Sequence, residues 1–157
     1  MPPGGEGKIT IKVNTRGYGG RTLSKRITVK TDSPENSLLY LTVMGNINNF
    51  VTIMPKRVIL SGFAGDQISQ TVKIIPEEKY PFKMAGDRIV YKENIRYELK
   101  EVSRSKKIEY VLTVVNLKKE KGRYFDTIKL KTDSKIRPVI EIRVYGNIID
   151  RPSDYKK

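Results

Sequence analysis

Apolar and polar residues alternate with a period of two along most of the chain, which is the pattern of half-buried β-strands. Ile9, Ile11 and Val13 predict a first strand after an extended Pro2-Pro3-Gly4-Gly5 lead-in, and Arg16-Gly17-Tyr18-Gly19-Gly20 predicts a turn. A second strand is expected near Leu23 to Lys30, where Ile27 and Val29 alternate, and a third on Leu39, Leu41 and Val43, closed by Gly45-Asn46. Between them, Thr31-Asp32-Ser33-Pro34-Glu35-Asn36 has side chains that bond local backbone and a proline that stops pairing. Residues 1–47 are therefore expected to supply three strands, too few for two facing sheets, so one apolar face is left bare.

From Asn48 the alternation starts afresh. Phe50, Val51 and Ile53 predict a short strand that Pro55 breaks; Val58 and Leu60, then Ile68, Val72 and Ile74, predict two more around the turn Ser61 to Asp66. Pro76 to Gly86 reads as irregular, with Tyr80-Pro81-Phe82 expected to cover the open end of the core. Strands follow on Ile89 and Val90, on Ile95, Tyr97 and Leu99, on Ile108 to Val115, on Tyr124 to Leu130 and on Val139 to Ile148, with turns at Ser103 to Lys107 and Lys118 to Gly122. The β-branched run Ile108 to Val115 has the character of a central strand. Only Pro76 to Lys92 leaves room for a helical turn, since a 3.6-residue period persists nowhere. Short strands spaced about ten residues apart predict an all-β, immunoglobulin-like Greek-key β-sandwich over residues 48–150. The polar tail, residues 151–157, is expected to fray.

One stretch occurs twice. Lys30-Thr31-Asp32-Ser33 through Val43-Met44-Gly45-Asn46-Ile47 returns, without a gap, as Lys131-Thr132-Asp133-Ser134 through Val144-Tyr145-Gly146-Asn147-Ile148. The spacing of about one sandwich domain predicts tandem modules, of which residues 1–47 are the C-terminal half of one and residues 48–150 a complete one. A junction as short as Asn46 to Phe50 suits a spacer or scaffold.

Composition narrows the chemistry. The 157 residues include 31 Lys and Arg against 17 Asp and Glu, a net charge of +14 that favours anionic partners or plain solubility. The excess is spread: residues 1–47 carry seven basic against three acidic side chains, residues 48–150 carry 21 against 13, and the tail three against one. Cys, His and Trp are absent, which removes thiolate chemistry, the usual neutral-pH general base and the commonest metal ligand. No apolar run approaches a membrane span, and Met1 to Gly5 lacks the parts of a signal peptide.

Asp32, Asp133 and Glu35 suit turn hydrogen bonding better than metal coordination. Ser24-Lys25 and Ser105-Lys106 are adjacent pairs that point apart on a strand, and Glu77 and Glu78 or Glu98 and Glu101 are not set apart from ordinary surface acids. The chain is thus read as non-enzymatic, with no cofactor and no metal site. A candidate polyanion patch comprises Arg104, Lys106, Lys107, Lys118, Lys119, Lys121 and Arg123, in two turns around one strand, with Tyr124 and Phe125 alongside. If these turns converge at one edge, nucleic acid is the expected ligand, bound with strong salt dependence. Lys121-Gly122-Arg123-Tyr124-Phe125 is only superficially similar to an RNA-recognition strand, whose fold needs helices that the pattern lacks. The competing expectation is a protein partner, or self-association, through the exposed strands of residues 9–43.

Pro2-Pro3-Gly4-Gly5-Glu6-Gly7-Lys8-Ile9, Gly17-Tyr18-Gly19-Gly20, Thr31-Asp32-Ser33-Pro34 and Leu41-Thr42-Val43-Met44-Gly45 together resemble the second half of bacterial DUF1573 modules. That family is immunoglobulin-like, similar in turn to the ASH and MSP-type domains. Residues 2–47 carry the likeness; residues 50–149 share it only through Gly122 and the Thr132-Asp133-Ser134 to Gly146 ending. The family's Cys-Gly-Cys-Thr segment, which precedes the Pro-Gly-Gly turn, has no counterpart here. The resemblance implies a multi-module, often exported protein of the periplasm or cell envelope, of which this chain is a piece.

Overall fold

Where β-branched and aromatic residues alternate with polar ones, the backbone extends and pairs, and every regular element among the described residues is a β-strand. The computed structural model describes residues 5–15, 17–104 and 107–152, with only the backbone of Arg104. Its eleven strands are β1 (Arg21–Lys30), β2 (Leu38–Ile47), β3 (Val51–Met54), β4 (Arg57–Phe63), β5 (Ser69–Pro76), β6 (Met84–Ala85), β7 (Ile89–Tyr91), β8 (Ile95–Arg104), β9 (Lys107–Asn116), β10 (Gly122–Thr132) and β11 (Val139–Ile149). The chain divides into two compact units, Met1–Asn49 and Phe50–Lys157.

The second unit holds two sheets, in the orders β4-β11-β10-β6 and β3-β5-β9-β8-β7. All pairings are antiparallel except β4 with β11, which run parallel from Arg57 beside Arg143 to Phe63 beside Ile149. One core joins the sheets: Val58, Leu60, Ile128, Ile140, Ile142 and Val144 from one, Val72, Ile74, Ile95, Leu112 and Val114 from the other, all fully buried. Each such side chain contributes about 1.5–3 kcal/mol by leaving water, and the alternating burial along β11 shows which face receives it. The segment after β5 contains no helix; a single turn, Tyr80 N–H donating to Glu77 O at 2.9 Å, precedes Phe82. Phe82 enters the core, stacked between Phe50 at 5.0 Å and Tyr110 at 6.3 Å. The short β6, which the alternation does not announce, pairs with the end of β10.

Among its described residues the first unit has two strands, not three. β1 and β2 form an antiparallel hairpin from Arg21 beside Ile47 to Lys30 beside Leu38, and β10 and β11 pair from Gly122 beside Ile148 to Lys131 beside Val139. These are the same register once the duplicated stretches are superposed, so the likeness extends beyond the residues that first reveal it. The turns agree as well: Thr31 Oγ1 donates to Asn36 O and Thr132 Oγ1 to Arg137 O, while each threonine hydroxyl accepts the N–H of the serine two residues on, at 3.3 and 3.2 Å.

Ile9, Ile11 and Val13, expected as a strand, join no ladder. The same superposition places them on Tyr110, Leu112 and Val114 of β9, which is a strand because β5 and β8 flank it on both sides. No strand among the described residues offers residues 9–13 those neighbours. An alternating sequence selects a face; only a partner's N–H and C=O groups make a strand of it.

Candidate functional site

The basic residues singled out in the sequence do not form one cluster. β9 separates the two turns, with Lys107 at its start and Lys118 just past its end. Ten residues at about 3.3 Å each put roughly 30 Å between them. Lys106 and the side chain of Arg104 lie outside the described residues. Lys107 Nζ is 2.5 Å from Glu78 Oε1, a pairing that raises the lysine pKa and lowers the carboxyl's. At the far end, Lys121 Nζ bonds Asp150 Oδ2 at 2.7 Å, and this raises the lysine pKa. Arg123 Nε donates to Asn147 Oδ1 at 3.3 Å. Lys118 is half-buried, its stem lying where a side chain on Gly122 would go, and Lys119 is exposed. Of the expected patch, then, Lys118, Lys119, Lys121 and Arg123 remain neighbours along one connection, and Lys107 stands apart from them.

Among the described residues no group of three or more acids could hold a metal ion. Asp133 bonds not within its own turn but to the segment before β6, its Oδ1 accepting the Lys83 N–H at 2.8 Å and its own N–H donating to Lys83 O at 3.0 Å. The perturbed tyrosines belong to the packing. Burial pushes the Tyr124 phenol up to about 12, with the Asp126 charge adding to the shift, and its hydroxyl donates to Asn116 Oδ1 at 2.7 Å. Burial likewise raises Tyr110, whose hydroxyl accepts the Met84 N–H at 3.1 Å. Among the described residues no helix is long and apolar enough to cross a membrane.

What remains is the first hairpin. In β10–β11 the inner-face residues Ile128, Leu130, Ile140, Ile142 and Val144 are all buried. Their counterparts in β1–β2 are Ile27, Val29, Leu39, Leu41 and Val43, equally apolar, yet Leu39 is 45% and Leu41 42% exposed and the other three are half-buried. Only Leu23, at the opposite end of β1, is buried. The hairpin is a sheet of its own, with no strand among the described residues on either edge.

Those edges are unlike. β1 carries Arg21, Lys25, Arg26 and Lys30. β2, Leu-Leu-Tyr-Leu-Thr-Val-Met-Gly-Asn-Ile, carries no charge and no proline over ten residues. Charge and proline are the usual means of keeping a free edge from pairing. Residues 9–13, also expected to belong to an interaction surface, are exposed at Ile9 and Ile11. The bare edge of β2 escapes a count of charge over whole segments, because the basic residues of β1 fill the same total. Strand by strand the gap is plain in the amino acids themselves.

A scan for known families matches no model to this chain, and searches of curated proteins and of solved structures return no match.

Proposed function

We propose that the protein is a non-enzymatic, tandem β module whose first hairpin is a docking surface for another polypeptide. In this reading the second unit is an immunoglobulin-like Greek-key sandwich, and the first is the closing half of the same kind of module, related to the DUF1573 modules that its glycine-rich segments resemble. The shared hairpin register, the repeated threonine turn and the passage of the chain between the two sheets at β4 to β5 and β9 to β10 support that assignment. A spacer or scaffold in a multi-module protein is the role that suits it.

One observation carries the docking reading: an apolar face that is covered on β10–β11 is uncovered, with the same residue types, on β1–β2. Leaving Leu39 and Leu41 in water forfeits on the order of 1 kcal/mol each, which a partner recovers. Size-exclusion chromatography with light scattering, joined to amide exchange, tests it. The expected result is rapid exchange, in a monomer, of the amides of residues 38–47 that face away from β1, slowed by association; a clean monomer with those amides already protected removes the reading. The basic residues lie at the two ends of β9, and Lys107 and Lys121 already face carboxylates, so the hairpin rather than the basic surface carries this reading.

A further inference from the structure

The docking surface just proposed can be given a direction and a partner chemistry, both of which rest on that reading. The second unit is a template for what belongs on the first. There the edge of β11 equivalent to the free edge of β2 is taken by β4, parallel, with Val58 beside Val144, Leu60 beside Gly146 and Gly62 beside Ile148. In the first unit the same places are Val43, Gly45 and Ile47, and they end a strand that has neither charge nor proline to resist pairing. β1, guarded by four basic residues, is not the edge at which a strand adds.

Charge selects the partner. In the covered hairpin, Asp126 sits on the inner face and its Oδ1 receives Lys92 Nζ at 2.6 Å, the amine coming from the segment that lies over the sheet. The superposition puts Lys25 in the place of Asp126, paired with Val43 as Asp126 is with Val144. A covering segment that kept a lysine there would set two cations together; one with a carboxylate restores the pair with its signs exchanged. The first unit as a whole is basic, and Arg26, on the outer face over the Tyr40 ring at 5.5 Å, adds to the field that an acidic chain would meet.

We infer that β2 accepts a strand, running parallel to it, from an acidic partner polypeptide that lays alternate apolar side chains beside Val43 and Gly45 and brings a carboxylate toward Lys25. The strand is of the β4 type, apolar at every second position.

The test uses the full chain and two synthetic peptides that share the sequence Val58 to Phe63, one flanked by glutamates and one by lysines. NMR titration should show the glutamate peptide perturbing residues 42–47 and giving parallel cross-strand contacts. Its affinity should exceed that of the lysine peptide by about tenfold at low salt, the gap closing as salt is added. Leu41→Lys should abolish binding while the cross-strand contacts between β1 and β2 stay unchanged, so that loss of binding is not loss of the hairpin. Lys25→Glu should reverse the preference between the peptides. Antiparallel contacts, attachment along β1, or equal affinity for the two peptides would overturn the inference and leave the docking face standing. A β2 edge protected before any peptide is added overturns both.

Discussion

The two hairpins allow the same truncation to be made in a covered and an uncovered setting. Ile142 is fully buried, and its counterpart Leu41 is 42% exposed. Ile142→Ala removes three carbons worth about 2.4 kcal/mol at ~0.8 kcal/mol each. A residual cavity of roughly 50 Å³ adds about 1.2 kcal/mol at ~24 cal/mol per Å³, for a cost near 3.5 kcal/mol. At Leu41 the transfer contribution shrinks to about 1 kcal/mol because much of the side chain is already wet, and no cavity forms at an open face. Equilibrium urea unfolding, followed by amide exchange so that β10–β11 and β1–β2 are read separately, measures both. The expected outcome is a loss two- to fourfold larger for Ile142→Ala. If Leu41→Ala costs as much, the first hairpin is covered and the reasoning from uneven burial is refuted.

Gly146→Ala would drive a methyl into the Tyr124 ring, whereas at Gly45, its counterpart beside Leu23, a Cβ meets nothing within 4 Å; thermal melts should show a loss of about 1–3 kcal/mol for the former and within about 0.5 for the latter. Tyr124 keeps its proton to about 12 in the folded chain against about 10 in an unfolded one, so the folded state binds more protons in that window. Stability should accordingly hold below pH ~10 and fall as pH rises from there toward 12, more gently in Tyr124→Phe, as denaturation at a series of alkaline pH values would register. Asp126→Asn weakens the half-buried bond from Lys92, which keeps its second bond to Thr127 O at 2.8 Å, and should cost about 1–2 kcal/mol by urea titration, with little salt dependence.

Much of the architecture is legible in the amino acids because it depends on local chemistry. The Thr-Asp-Ser turn fixes its own hydrogen bonds, and Ile128, Leu130, Ile140, Ile142 and Val144 declare their face by alternation, so the all-β character follows from the residues. Residues 9–13 mislead for a physical reason: Ile9, Ile11 and Val13 state a preference for one face, but pairing is supplied by other segments. The basic cluster misleads for another. Residues close in sequence on either side of a turn stay close, as Lys118 and Lys121 do, but Lys107 and Lys118 bracket a full strand and so mark its two ends. Phe82 is expected at the mouth of the core; its place in the stack between Phe50 and Tyr110 depends on residues on both sides of it in the chain, which alternation does not encode.

Two hairpins of one register in one polypeptide create a hazard while the chain is folding. The earlier hairpin is synthesised first and could seat itself on the five-stranded sheet meant for the later one. In that seat the Lys25 ammonium would meet that of Lys92, where Asp126 belongs, and like charges so placed disfavour the exchange, a repulsion that Lys25→Asp would remove.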